Sequence, residues 1–265
     1  MFVHNLDPIL INFGIISLRW YSLAYIFGIL IGLAYGKFLI KKYYSQEKFS
    51  INHLDDFLIW IISGIIIGGR VGYIIFYNPQ FFIENPSEII KIWTGGMSFH
   101  GGMVGLIVAA YIFSKKQNFS FWLLSDILAC VAPIGLFLGR IANFINSELV
   151  GKPTDQSWSV IFPLYDNIPR HPSQIYEAIL EGLILFLIIN LIFKKKKIRN
   201  GIVSFIFIFL YSIFRICAEF FREPDQHIGY IFPGISLGTL LCIITILISI
   251  PILIKVFQND FRKNY

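Results

Sequence analysis

The sequence predicts an all-α, polytopic membrane protein of seven transmembrane helices, with the N-terminus outside and the C-terminus cytoplasmic. Three observations carry that expectation. The chain is 56% hydrophobic and only 14% charged, with a mean hydropathy of +0.68, too apolar for a soluble globular domain. Its apolar residues gather into seven runs, near the length of about 20 residues that a helix needs to cross the bilayer core. Twelve of the fourteen lysines fall at alternate ends of those runs, as the positive-inside rule expects of cytoplasmic loops.

In order, the runs cover roughly 17–38, 54–77, 97–113, 121–140, 173–193, 201–221 and 234–255. The first opens on Arg19-Trp20-Tyr21, where Trp and Tyr read as interfacial anchors, and closes on lysines between Lys37 and Lys48. The second carries Gly64, Gly68 and Gly72, and the third Gly101, Gly105 and Ala109, all at four-residue spacing. Such ridges let helix backbones approach closely in lipid. The third run ends on Lys115 and Lys116, and the fourth starts near Asp126, read as a helix N-terminal charge or a packing partner. Lys194 to Lys197 follow the fifth run, and Lys255 and Lys263 close the seventh. The loops after runs one, three, five and seven are therefore assigned to the cytoplasm.

The outer segments, about 78–96, 141–172 and 222–233, are rich in Pro, Gly and Asn. One membrane-embedded domain over residues 1–265 is the simplest organisation. Residues 1–16 lack a basic n-region and a small-residue cleavage site, so no removable signal peptide is expected. Cys130, Cys217 and Cys242 lie within runs and read as packing residues. The net charge of +6 calls for no nucleic-acid partner, because the cytoplasmic clusters can face anionic lipid headgroups.

Arginine is distributed differently. Six of the eight arginines (Arg19, Arg70, Arg140, Arg170, Arg215 and Arg222) lie at or near the outer ends of the runs. Arginine at membrane depth is unfavourable, and its planar fork suits phosphate or carboxylate. The pattern points to an anion-handling site facing away from the cytoplasm. Near it His100 stands among four glycines at 95–102, where an imidazole suits general-base work and equally suits a backbone-bonded turn. If the fourth helix continues, Arg140, Asn143 and Ser147 share one face, followed by Asn146 and Glu148. Tyr211, Arg215, Glu219 and Arg222 form a stripe on the sixth run, with Glu219, Glu177 or Glu181 as partners for Arg215. Arg70 is assigned to helix packing, and His171 to the loop that fixes the entry of the fifth run.

Several function classes fall away. The seventh run has no lysine before Lys255 for a retinal Schiff base, and Ser98 sits in Gly-Met-Ser-Phe rather than a Gly-x-Ser-Gly turn. The histidines are scattered, without paired metal ligands. A transporter or flippase for an anionic substrate is the alternative reading, opposed by the lack of a polar trail through the inner halves and of an inverted repeat. An enzyme acting on a lipid phosphate at the outer leaflet fits better.

The segments Gly-Gly-Arg70-Val-Gly-Tyr, Gly-Gly-Met-Ser-Phe-His100-Gly-Gly, Gly-Arg140-Ile-Ala-Asn143-Phe-Ile-Asn146, Pro-Arg170-His171-Pro-Ser-Gln-Ile-Tyr-Glu177 and Phe-Arg215-Ile-Cys-Ala-Glu219-Phe-Phe-Arg222-Glu-Pro-Asp occur in this order. Together they resemble the prolipoprotein diacylglyceryl transferase family from about Asp7 to the last run. The resemblance implies a bacterial plasma (inner) membrane enzyme that needs no cofactor or metal. It would move the sn-1,2-diacylglyceryl group of phosphatidylglycerol onto the lipobox cysteine of a prolipoprotein signal peptide. By similarity, Arg140 matches the phosphatidylglycerol-binding arginine, and His100, Arg215 and Tyr21 match positions implicated in catalysis. Asn143, Asn146, Glu148, Gly151, Glu219 and Arg222 are placed around the substrate. The family often has Asn-Gly-Glu-Leu-Trp-Gly where this chain has Asn146-Ser-Glu-Leu-Val150-Gly.

Overall fold

The structure, a computed structural model, describes residues 1–14, 17–43, 49–195, 200–224 and 229–263. The side chains of Thr94, Phe99, His100, residues 252–253 and residues 255–263 lie outside that description, as do Lys48, Lys196, Lys197 and Arg199. The chain opens with β1 (Phe2–Val3), β2 (Ile9–Asn12) and β3 (Ser17–Arg19), followed by α1 (Trp20–Tyr43), α2 (Ile51–Phe76), α3 (Pro79–Glu84), α4 (Phe99–Lys116) and α5 (Phe121–Ile145). After β4 (Val160–Ile161) and β5 (Pro169–Arg170), α6 (Ser173–Glu177) passes through a π-helical turn, Ala178–Ile184, into α7 (Leu185–Phe193). α8 (Ile202–Glu219), β6 (Tyr230–Phe232), β7 (Ile235–Ser236) and α9 (Leu237–Lys263) complete the chain.

Among the described residues five helices are long and apolar enough to cross a membrane: α1, α2, α5, the continuous Ser173–Phe193 stretch and α8. α4 and α9 stand at the third and seventh apolar runs, and Leu237–Pro251 of α9 is a shorter apolar helix. The protein is thus a mostly helical, polytopic membrane protein. Its extramembrane segments add three small sheets to the expected all-α architecture: parallel β1–β4 with antiparallel β4–β5, the β2–β3 hairpin, and the β6–β7 pair.

The described residues form two compact units, Lys37–Ser125 and Met1–Gly36 with Asp126–Tyr265. In the first, α2 and α4 meet through the glycine ridges. A Cβ on Gly64 would lie 2.7 Å from the Gly105 carbonyl oxygen and 2.8 Å from the Ala109 Cβ, and one on Gly72 would lie 2.8 Å from the Gly101 Cα. Only backbones stripped of side chains approach this closely. Phe57, Trp60 and Phe113 fill the end of the pair that carries the lysines, with Phe57 and Phe113 ring centroids 5.2 Å apart. At the other end Arg70 is buried and donates to the carbonyls of Glu88, Ile89, Lys91, Gly95 and Gly96 at 2.5 to 3.2 Å. Its assignment to packing is met through main-chain carbonyls.

In the second unit, polar side chains tie the helices together. The Tyr35 hydroxyl donates to Asn190 Oδ1 at 2.9 Å, and Asn190 Nδ2 donates to the Cys130 carbonyl at 3.1 Å, joining α1, α7 and α5. Asp126 of α5 accepts from the Gly201 amide at 2.6 Å and from the Ser204 amide and hydroxyl at 2.8 and 2.6 Å. It therefore caps the start of α8 from a neighbouring helix, a packing role that satisfies orphan amides. In the π turn Gly182 lies against Phe137, whose Cβ would be 2.6 Å from a Cβ added there. That close approach brings α5 against the carboxylates of the fifth run.

Candidate active site

The centre of the site is an alternating net of arginines and glutamates. Glu177, the last residue of α6, and Glu181, in the π turn, have fully buried side chains. Arg140 of α5 places Nη1 2.8 Å from Glu177 Oε2 and Nη2 3.0 Å from Glu181 Oε2. Arg215 of α8 places Nη1 2.7 Å from Glu177 Oε1 and Nη2 2.7 Å from Glu219 Oε2. Arg222 comes within 3.9 Å of Glu177, and the Ser236 hydroxyl donates to Glu219 at 2.7 Å. α8 ends at Glu219, so Arg215 lies four residues from its end, about 6 Å at 1.5 Å per residue.

The formal charges of the three arginines and three glutamates cancel. That balance makes a dense charge cluster tolerable at membrane depth, since a lone buried charge would be expelled or neutralised. The Arg140 and Arg215 forks are each held at two points, so those guanidinium planes are fixed before any ligand arrives. Arg140 is the most open of the three, with 15% of its side chain exposed against 9% for Arg215 and 8% for Arg222.

The rim lies just beyond Arg140. The Asn143 and Asn146 amides each donate to the exposed Glu148 carboxylate at 3.2 Å. Ser147 departs from expectation: α5 ends at Ile145 and Ser147 takes φ +56°, so it leaves the face of Arg140 and Asn143. Its hydroxyl instead meets His4 Nδ1 at 3.2 Å. Gly151 donates to the His171 carbonyl at 3.1 Å and forms a β-bridge with Arg222. A Cβ there would lie 2.8 Å from both His171 Cβ and the Phe221 carbonyl, so only glycine fits the crossing.

Arg170 locks this crossing. It donates to Asp166 at 2.6 to 3.1 Å, to the Gly151 carbonyl at 2.9 Å and to Glu223 at 3.1 Å. The same guanidinium holds the Asp166 carboxyl below the usual carboxylate range. His171 Nδ1 lies 3.2 Å from the Tyr176 hydroxyl, in keeping with a loop residue that fixes the helix entry. Burial, aided by Lys152, holds its imidazole below the ordinary value.

The structure therefore brings together Arg140, Arg215, Glu219 and Arg222, with Asn143, Asn146, Glu148 and Gly151 on the segment that follows. Tyr21 stands in the first turn of α1, where its hydroxyl accepts from Tyr25 at 3.4 Å. His100 is in the first turn of α4, behind the Ser98 cap, and its side chain lies outside the described residues. Cys217 is exposed on α8 while Arg215 is buried, so the two point apart, as positions two residues apart on a helix do. Sequence reasoning named Glu177 and Glu181 only as alternative partners, although a carboxylate pair at i and i+4 inside an apolar run was the visible signal. Ser173 and Gln174, which hold the rim by donating to the Leu149 and Glu148 carbonyls, carried no such signal.

The family model of prolipoprotein diacylglyceryl transferase matches residues 8–255, a range containing every one of these site residues. The chain belongs to the prolipoprotein diacylglyceryl transferase family. It is 49% identical over 261 residues to a Rickettsia bellii protein, covering 98% of both chains. It is 46% identical over 264 residues to one from Nitrobacter winogradskyi, covering 97% of this chain and 91% of the relative. A third, from Paramagnetospirillum magneticum, is 44% identical over 252 residues, covering 94% and 93%. All three bear the name phosphatidylglycerol–prolipoprotein diacylglyceryl transferase. Membership makes the chain a transferase of lipoprotein biosynthesis, and the transporter alternative gains no support.

Proposed function

We propose that this protein transfers the sn-1,2-diacylglyceryl group from phosphatidylglycerol to the lipobox cysteine of prolipoprotein signal peptides. The observation that carries the reading is the buried arginine net with Arg140 as its most open member, in a chain of this family. In the reaction a sulfur–carbon bond forms at the glycerol CH2 as the carbon–oxygen bond to phosphate breaks. The oxygen leaves with the electron pair as glycerol-1-phosphate, and the thiol proton passes to a base. Charge grows on the phosphate, and arginines already oriented in a low-dielectric site stabilise it without reorganising.

In this reading Arg140 and Arg215 face the phosphate, while Glu177, Glu181 and Glu219 hold their forks. Asn143, Asn146 and Glu148 bond to headgroup hydroxyls or phosphate oxygens, with Gly151 and Arg222 closing the rim. Tyr21 and His100 keep the catalytic parts that the resemblance implies, His100 as the base or organiser of the thiol, which reacts as thiolate. The peptide cysteine attacks the lipid directly, a reading supported by Cys217, which is exposed where Arg215 is buried. We place the enzyme in the bacterial plasma membrane with seven spans, N-terminus outside, C-terminus cytoplasmic and the site toward the outer face.

Complementation of a transferase-depleted bacterium, with mass spectrometry of a reporter lipoprotein, tests the activity. The expected product carries a hydroxylamine-resistant diacylglyceryl thioether, and an unmodified reporter beside well-expressed protein would overturn the reading. Orientation is tested by single cysteines. Asn5→Cys, Asn85→Cys and Asp155→Cys should react with an impermeant thiol reagent outside, and Asn118→Cys and Asn200→Cys should not. Outside labelling at position 200 would reverse the topology.

A further inference from the structure

Three non-glycine residues among those described have a left-handed backbone: Asn118, Ser147 and Leu149. Such a conformation presses Cβ against the following carbonyl, and apart from asparagine and aspartate few side chains compensate locally. Two of the three, Ser147 at φ +56° and Leu149 at φ +54°, stand on either side of Glu148. Backbone strain is thus concentrated where the rim presents its carboxylate, and it persists only if neighbours over-determine the loop.

The clamps can be named. Gln174 Nε2 donates to the Glu148 carbonyl at 2.7 Å, and the Ser173 hydroxyl donates to the Leu149 carbonyl at 3.1 Å. Ser147 is held from another direction, by His4. The His4 ring is 2% exposed, edge-on to Phe144 at 4.9 Å and tilted against Phe162 at 5.3 Å. Its backbone amide donates to the Ile161 carbonyl at 2.9 Å, continuing the β1–β4 pairing. The ring therefore has nowhere to turn, and its Nδ1 stays 3.2 Å from the buried Ser147 hydroxyl. Its other nitrogen, Nε2, is buried without a hydrogen-bond partner among the described residues. An unpaired ring nitrogen in an aromatic pocket is unfavourable, so packing alone would favour phenylalanine at this position. The one side chain that the imidazole meets through a polar contact there, among the described residues, is Ser147, and the backbone of Phe144 just before the loop also engages the ring.

We propose that His4 is a positioning residue for the transfer reaction: it holds Ser147 left-handed, and so aims Glu148 and Asn146 into the rim. The proposal rests on the reading of the site given above, and it concerns how the loop is held rather than any step of chemistry. It makes a specific prediction about rescue. Glycine adopts positive φ freely, so the grip is needed only while residue 147 carries a Cβ.

The test is a double-variant cycle with purified full-length protein, phosphatidylglycerol in detergent micelles and a lipobox peptide. His4→Phe keeps ring packing and removes the contact, and should lower kcat/KM for phosphatidylglycerol about tenfold, the effect of losing one buried polar contact. Ser147→Gly should stay within about twofold of the unmodified protein, since glycine takes this backbone freely. Adding His4→Phe to S147G should then change kcat/KM by less than about twofold, because the contact is already gone. Melting temperatures of the four proteins should show the same non-additivity. A purely packing role predicts that His4→Phe acts equally in both backgrounds, and that additivity would overturn the proposal. So would a His4→Phe protein indistinguishable from the unmodified one. Absence of transfer in the unmodified protein would instead strike the functional reading, while the melting cycle would still decide whether His4 holds the loop.

Discussion

Three arginines at similar places on their helices have two opposite kinds of partner. Arg70 is wrapped by five backbone carbonyls of one connecting segment, whereas Arg140 and Arg215 are held by the side-chain carboxylates of Glu177, Glu181 and Glu219. Carbonyl dipoles neutralise nothing, but they belong to the main chain and cannot leave without unfolding the segment. Carboxylates cancel the charge, and each sits on rotatable bonds. A guanidinium of the first kind is a fastener for the 86–96 connection. One of the second kind is a preset fork whose ion pairs can rearrange when another anion comes near. On the proposed reading of the site, the difference separates structural from functional arginine where hydropathy and depth alone treat them alike.

The largest effect that would break the contrast is at Arg140. Arg140→Lys keeps the positive charge between Glu177 and Glu181 but loses the bidentate fork. We expect the protein to insert and fold while transfer falls by about 100-fold or more, the scale of losing a preorganised donor. Arg140→Ala should abolish transfer and also lower thermal stability, because two buried carboxylates would then share Arg215. Reporter lipidation with parallel melting curves separates the two effects. A fully active, well-folded Arg140→Ala protein would make Arg140 a fastener like Arg70.

The next effect runs the other way. Arg70→Ala removes five donated hydrogen bonds and leaves several buried carbonyls unpaired. A destabilisation of about 3 kcal/mol is expected, seen as lost expression or a lower Tm. Arg70→Lys should recover little, since an ammonium offers three protons where five acceptors converge. Turnover per folded molecule should change far less than for Arg140→Lys. If activity per folded molecule fell as steeply, the carbonyl-held arginine would have a share in the chemistry.

What was legible in the sequence follows physical range. Helical spans and the glycine contact between α2 and α4 are local periodicities, so spacing alone placed Gly64, Gly68, Gly72, Gly101 and Gly105 correctly. The stripe of Arg215 and Glu219 was visible for the same reason. Asp126 was legible as a polar group at a helix start, but the helix that it caps begins 75 residues later at Gly201, and that pairing is tertiary. The π turn at Ala178–Ile184 has no composition signal, and strands of two to four residues are too short for alternation to register. The left-handed turn at Ser147 was hidden because serine does not announce positive φ as glycine does. His4 lies 143 positions from the residue that it meets, and a local pattern in residues 1–16 carries no trace of that pairing.

The smallest expected effect concerns Arg170, which combines both kinds of partner: the Asp166 and Glu223 carboxylates and the Gly151 carbonyl. Its guanidinium also lies over the Tyr165 ring, 4.9 Å from the centroid. The comparison predicts that its carboxylate share is titratable and its carbonyl share is not. Asp166 is held below the usual carboxylate range chiefly by its hydrogen bonds from Arg170. A depressed folded pKa adds stability that is fully present above the unfolded value and is lost as pH falls through the folded one. Asp166→Asn should therefore lower stability at neutral pH by about 1 kcal/mol or less, as fits a partly solvated pair. The gap to the unmodified protein should close as the pH drops below the ordinary aspartate range, where both proteins carry a neutral side chain at position 166. Arg170 also pairs with the Glu223 carboxylate at 3.1 Å, so the Asp166→Asn, Glu223→Gln double variant is the proper baseline for any remaining slope. Melting curves from neutral to acid pH read the effect directly. A gap that persists unchanged at the acid end would mean that Asp166 contributes through shape alone, and that Arg170, like Arg70, is held by the main chain.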